Sequence, residues 1–225
     1  GNYSLDALTS GDLNTAVGYR TGTAITTGDG NTLFGYEAGS AITGAGAYNV
    51  CVGSGTGSSI TTGIRNTFVG QAGYSFDTEN DNLGMGHGAL GGAVAGGEKN
   101  IAIGNYSLDA LTSGDGNVAI GYGAGTDLTE GGTNVLVGYN AGANVTTASA
   151  SIFVGFDAGS AVTTNTENIG IGYRSGYALT GTLNTMLGYK SNLNGTSGDG
   201  NTIIGHQAVG AGVLTGNNNV VIGKL

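Results

Sequence analysis

The stretch NVAIGYGAG, Asn117–Gly125, sets three small or branched apolar residues between an Asn and a Gly. The same N-x-x-x-G frame recurs along the chain. Its first residue is Asn14, Asn31, Asn49, Asn66, Asn82, Asn100, Asn117, Asn134, Asn168, Asn184, Asn201 and Asn219, with Ser151 filling the one gap. Successive starts lie about 17 residues apart, and self-similarity at a near-fixed period is the signature of a repeat architecture. The twelve letters GNYSLDALTSGD stand at Gly1–Asp12 and again at Gly104–Asp115, an offset of six repeats. The chain therefore reads as one array over residues 1–225, with no linker and no second domain.

Each column has a physical reading. Four residues after the Asn stands Gly18, Gly35, Gly53, Gly70, Gly86, Gly104, Gly121, Gly138, Gly155, Gly172, Gly188, Gly205 or Gly223. A Gly required at the end of every short strand implies positive φ or a backbone approached too closely for a Cβ. The column before it is large and apolar, from Val17 and Phe34 to Ile204 and Ile222. The first position after the Asn is dominated by Thr, Val and Ile, which favours strand over helix. Alternation along a strand puts those two columns on one face, here expected to meet the core of the coil. The middle column, including Ala16, Leu33, Cys51, Phe68, Gly84 and Phe153, is expected on the other face. It too is apolar, and a strand that is apolar on both faces is covered on both.

The rest of each repeat is a corner such as GYEAGS, a second strand such as AITT, and a closing turn such as GDGN. In the second strand one residue points inward: Ile25, Ile42, Ile60, Leu111, Leu128, Val145, Val162 or Leu179. Asp, Gly and Asn in the closing turn tolerate left-handed geometry. Two short strands and two turns per repeat make one flat coil, so the fold is expected to be all-β. It is a parallel β-solenoid (β-roll) of about thirteen coils rising ~4.8 Å each. Stacked Asn side chains are expected to form an amide ladder.

One coil orders about 17 backbones at ~1–2 kcal/mol each. Its three or four buried apolar side chains return about 1.5–3 kcal/mol apiece. A single coil cannot stand, so neighbours must share hydrogen bonds and core. The doubly apolar strand needs a further cover, and the same strand of another copy about a rotation axis is the natural one, which predicts a homo-oligomer.

Composition bounds the function. Gly reaches 48 of 225 residues, about three times ordinary usage, while hydrophobic content of 39% opposes disorder and the absence of Pro excludes collagen. The net charge of −9, without a basic cluster, opposes nucleic-acid binding. A lone Cys51 is silent on redox compartment, and no run is long and apolar enough for a membrane span, so no membrane insertion is expected of this segment. With no opening Met and no signal-like start, the chain is expected to be a segment of a longer protein.

The segments NVAIGYGAG (Asn117–Gly125), NTAVGY (Asn14–Tyr19) and NIAIG (Asn100–Gly104) resemble the head repeats of YadA-type trimeric autotransporter adhesins. The GYxAG and TTG corners also resemble the repeats of phage tail fibres and related extracellular fibres. Nearly the whole chain takes part in the resemblance. It implies three β-rolls wound about an axis, an extracellular setting on a cell surface or virion, and attachment to a cell-surface glycan or protein receptor. The repeat here is longer than the YadA unit, and its middle column carries Phe and Met where those repeats favour Ala.

Few residues suggest chemistry, and neither catalysis nor a cofactor is expected. His87 and His206 fall in the corner column that elsewhere holds Tyr19, Tyr36, Tyr122, Tyr139, Phe156, Tyr173 and Tyr189, so they read as aromatic substitutes on a surface ridge that touches glycans. Cys51 reads as an inert core residue. GDGN turns are candidate Ca²⁺ sites between coils but lack dense carboxylates. GMGHGALGG imitates a dinucleotide loop, yet the repeat accounts for each Gly. Asp77 and Glu79 are expected in a solvated loop rather than in a glycosidase pair. The expected function is the structural and adhesive shaft of an extracellular fibre. Thr pairs such as Thr26-Thr27 and Thr146-Thr147 keep an ice-binding solenoid as an alternative, and fibre-borne carboxylates keep a polysaccharide depolymerase.

Overall fold

The computed structural model describes residues 1–92, 96–195, 197–209, 212 and 214–224. Its described residues contain thirteen strands of three residues each and no helix. They group into two compact units, Gly1–Gly116 and Asn117–Leu225. The first unit carries β1 (Thr15–Val17), β2 (Thr32–Phe34), β3 (Val50–Val52), β4 (Thr67–Val69), β5 (Leu83–Met85) and β6 (Ile101–Ile103). The second carries β7 (Val118–Ile120), β8 (Val135–Val137), β9 (Ile152–Val154), β10 (Ile169–Ile171), β11 (Thr185–Leu187), β12 (Thr202–Ile204) and β13 (Val220–Ile222).

Within each unit consecutive strands pair in parallel with equivalent positions opposed, as in Thr15↔Thr32 and Val135↔Ile152. Each unit is thus a parallel β-solenoid, one coil per repeat. The strands stop after three residues because the following Gly adopts φ between +93° and +151°. In the second unit a Cβ built on Gly138 would collide with the carbonyl oxygen of Gly155 on the next coil, so this position excludes every other residue on both grounds.

The faces of the strand are the reverse of the sequence expectation. Leu33, Cys51, Phe68, Ala102, Leu136, Phe153, Met186 and Ile203, all of the middle column, are completely buried in the coil interior. The flanking columns look outward, with Phe34 57% and Leu187 46% exposed. The Asn sets this parity. Asn31, Asn66, Asn117 and Asn134 are themselves fully buried, and a period of two carries the inward direction from the Asn to the middle column. Reading the Asn as a surface turn residue inverts the whole strand.

Size variation in the middle column is compensated inside the core. Phe68 lies opposite Gly84, and Phe153 opposite Gly170, so each large ring occupies the space its glycine neighbour leaves. Ile25, Ile42, Ile60, Leu111, Leu128, Val145, Val162 and Leu179 close the opposite wall at 0–1% exposure.

The return limb is not the second strand that the sequence suggests. It is a run of tight turns, closed by bonds such as the Ile25 N–H to the Gly22 carbonyl (3.2 Å) and the Val145 N–H to the Gly142 carbonyl (3.0 Å). Left-handed residues every few positions, among them Glu37, Asn140 and Asp157 at φ near +50°, keep it from extending. Coil-to-coil bonds still tie it down, for example from the Thr146 N–H to the Thr163 carbonyl at 2.8 Å.

Candidate functional surface

The Asn column forms the expected ladder, and it lies inside the coil. In the second unit Asn134 Oδ1 accepts the backbone N–H of Ser151 (3.0 Å), while Asn134 Nδ2 donates to Asn117 Oδ1 (3.0 Å) and to the Ala148 carbonyl (2.8 Å). The side chain therefore binds its own closing turn and both neighbouring coils at once. Ser151 continues the ladder with its hydroxyl, which accepts the Asn168 N–H at 3.3 Å. Asn31, Asn49 and Asn66 repeat the pattern in the first unit, again buried. No solvent or ligand can reach these amides, so their work is structural.

A second ladder escaped the sequence reading. Two residues before Asn31, Asn82, Asn117 and Asn201, a short polar side chain accepts a backbone N–H from the preceding coil. Asp29 accepts from Asp12 (2.8 Å), Asn80 from Ile64 (2.8 Å), Asp115 from Glu98 (2.7 Å) and Asp199 from Thr182 (2.7 Å). The signal was the GDGN turn, whose Asp spends a carboxylate oxygen on the backbone. Among the described residues no group of three or more His, Cys, Asp or Glu could hold a metal ion.

The acidic pair Asp77 and Glu79 departs from the solvated loop expected of it. Asp77 is exposed, but Glu79 is only 4% exposed, and its carboxylate accepts the N–H groups of Asp77 (2.8 Å), Thr78 (3.1 Å) and Gly96 (3.1 Å). Glu79 thus organises the irregular return limb of that coil from within. Burial pushes the Cys51 thiol up to about 12, which keeps it protonated and unreactive in the fold. A hydrogen bond from Arg65 holds the exposed Asp81 carboxyl below its ordinary value, and partial burial raises that of Asp109. The Thr hydroxyls of the return limb are also engaged. Thr43, Thr129 and Thr146 each donate to a carbonyl on the next coil.

Two features are left facing water. The first is the outward strand face, where each position is Val, Ile, Leu, Met, Phe or Thr and none is charged. The second is the aromatic column. In the second unit Tyr122, Tyr139, Phe156, Tyr173, Tyr189 and His206 stack in one run, with ring centroids 5.0–5.4 Å apart and planes within 13° of parallel. Register forces this, because equivalent positions sit one coil apart. In the first unit Tyr19 and Tyr36 stack at 5.7 Å, whereas His87 meets Tyr106 edge-on at 5.4 Å. Stacking consumes the ring faces and leaves the edges to solvent. The ladder therefore does not offer sugars the aromatic faces they pack on.

Ion pairs link neighbouring coils on this side: Arg20 with Glu37 (3.1 Å), and Arg174 with Asp157 (3.8 Å). The Arg20 pair is largely exposed and adds little stability, whereas Arg174 and Asp157 are half-buried. Next to Arg20 lies an open pocket of about 370 Å³ lined by Tyr3, Asp6, Tyr19, Arg20 and Thr23.

No helix among the described residues is long and apolar enough to cross a membrane. No protein-family model, curated protein or solved structure matches this chain.

Proposed function

We propose that this chain is part of the structural and adhesive shaft of an extracellular fibre, of the kind its repeats resemble, on a bacterial surface or a phage. Three copies pack their outward strand faces around a common axis. The observation that carries this reading is the uncharged, apolar outward face of β7–β13, together with that of β1–β6. A parallel sheet normally has both faces covered, and an exposed apolar face of this extent marks an interaction surface. The chain's own return limb covers only the inner face. Because the interface is built from the first and third strand positions, every coil contributes to it equally.

A shaft needs stiffness and solubility rather than a reactive centre. Stiffness comes from coil-to-coil hydrogen bonds at the strand, the Asn ladder and the Asp ladder. Solubility comes from a net charge of −9 carried on the turns.

Light scattering on the purified chain tests the reading. The expected mass is three times that of the 22.0 kDa chain, maintained on dilution. A stable species at 22.0 kDa refutes the assembly and with it the shaft.

A further inference from the structure

We propose that Arg174 and Lys190, on consecutive coils inside the second unit, form a binding site for the carboxylate of an acidic sugar carried on an otherwise neutral glycan. The proposal deepens the adhesive half of the function above and rests on that half of the reading. Both residues occupy the column that follows the aromatic ladder. Asn140 and Asp157 hold it on the preceding coils and Gln207 on the next, so the site has a coil on either side.

The charge pattern singles out this place. The chain sets 6 Lys and Arg against 15 Asp and Glu, and where register stacks charged side chains it alternates their sign. Arg20 pairs with Glu37 (3.1 Å), Arg65 with Asp81 (2.6 Å) and Arg174 with Asp157 (3.8 Å). Lys190 departs from this. The Arg174 N–H donates to the Phe156 carbonyl and the Lys190 N–H to the Tyr173 carbonyl, both at 2.8 Å, so register sets a second cation beside the first. The two lie one coil apart, ~4.8 Å, and like charges in that relation are destabilising. Asp157, on the far side of Arg174, offsets one of them. Two cations against one anion leave +1 here, in a chain whose total is −9.

The donors are unspent and held still. Asp157 is beyond hydrogen-bond distance of Arg174 Nε, which is buried without a partner among the described residues. The guanidinium is pinned with its Cζ 4.3 Å from the centroid of the Tyr177 ring, so its Nη pair meets a ligand already oriented. Lys190 Nζ lies 5.2 Å from the centroid of Tyr189 and pairs with no carboxylate among the described residues. The ladder adds to the same field. Tyr173 and Tyr189 stack at 5.2 Å, which turns their edges to solvent, and the edge is the positive rim of the ring. Their phenol hydroxyls are further donors.

Such a set recognises an anion, and charge narrows which one. A planar carboxylate fits the guanidinium fork through two parallel hydrogen bonds and accepts another from the ammonium. A local charge of +1 neutralises one monoanionic group. A polyanion such as nucleic acid or a densely sulfated chain would also meet the acidic remainder of the surface and be repelled. The ligand is therefore a glycan whose uronate residues are separated by neutral sugars, with hydroxyls lying along the tyrosine edges.

NMR titration of the whole chain with labelled Lys and Arg side chains tests this, since only 6 residues then report. The probe is methyl β-D-glucuronide, compared with methyl β-D-glucopyranoside and glucose 6-sulfate, with light scattering on the same samples. The expected result is saturable shifts at Arg174 and Lys190 with half-saturation in the millimolar range. Arg20 and Arg65 should not respond, nor should the neutral glycoside cause shifts. Binding should weaken about tenfold in Lys190→Gln and in Arg174→Gln. It should tighten in Asp157→Asn, which frees the charge of Arg174. The proposal is overturned if Arg174 and Lys190 stay silent, if all the labelled cations shift alike, or if the three variants leave affinity unchanged. Equal binding of the neutral glycoside, or tighter binding of the sulfate, overturns it as well. Uronate binding by a monomer would sink the trimeric shaft and leave the site standing, whereas a trimer with Arg174 and Lys190 silent does the reverse.

Discussion

Two residues show how narrowly the coil is specified. Gly138 has φ +137°, and a Cβ there would strike the Gly155 carbonyl. Backbone strain of about 1–3 kcal/mol adds to that collision. Gly138→Ala should therefore cost at least ~2 kcal/mol in urea-induced unfolding, and an unchanged midpoint would show that the column tolerates a side chain. Asn192 is the opposite case. It stands, at φ +54°, in the corner position that Gly142, Gly159 and Gly176 occupy on preceding coils. Both polar atoms of its amide are buried with no hydrogen-bond partner among the described residues. An unpaired buried polar group costs about 1–3 kcal/mol, and glycine removes both the group and the strain. Asn192→Gly is expected to raise the thermal midpoint. A lower midpoint would mean that the amide has a bound partner.

At the scale of the coil, packing is settled between neighbours rather than within a repeat. Phe68 can occupy its place because Gly84 lies opposite on the next strand, where a Cβ would approach the ring to 2.9 Å. Gly84→Ala alone should cost about 1–3 kcal/mol by overpacking. Phe68→Leu alone should lose stability through a cavity. Combined, the two changes should cost less than their sum by about 1 kcal/mol or more, measured as a double-mutant cycle. Strict additivity would mean that the two coils do not share this space. The same logic explains why no single repeat shows its core clearly: half of each packing decision sits one repeat away.

At the scale of the molecule, the outward and inward faces of one strand should answer a charge differently. Val137 and Val154 lie outward on β8 and β9, whereas Leu136 is fully buried between them and the return limb. Val137→Lys together with Val154→Lys should leave the far-ultraviolet circular dichroism unchanged and lower the mass towards that of the single chain. Leu136→Lys buries an unpaired ammonium and should unfold its coil. If instead Leu136→Lys folds and dissociates while the double variant unfolds, the assignment of faces is wrong.

The residues of the chain determined the period, the all-β solenoid, the Asn ladder and the Gly column. Each is a local backbone demand repeated in every coil, so it survives as a visible letter. Which face of the strand is inside was left to the tertiary structure. Val, Ile, Leu and Phe occupy both faces, so hydrophobic contrast carries no direction. Only the burial of the Asn amide breaks the tie. Tertiary contacts also decided that the return limb is a chain of turns and that Glu79 is drawn inside to cap backbone N–H groups. Each depends on what the adjacent coil presents, and a repeat read by itself does not contain its neighbour.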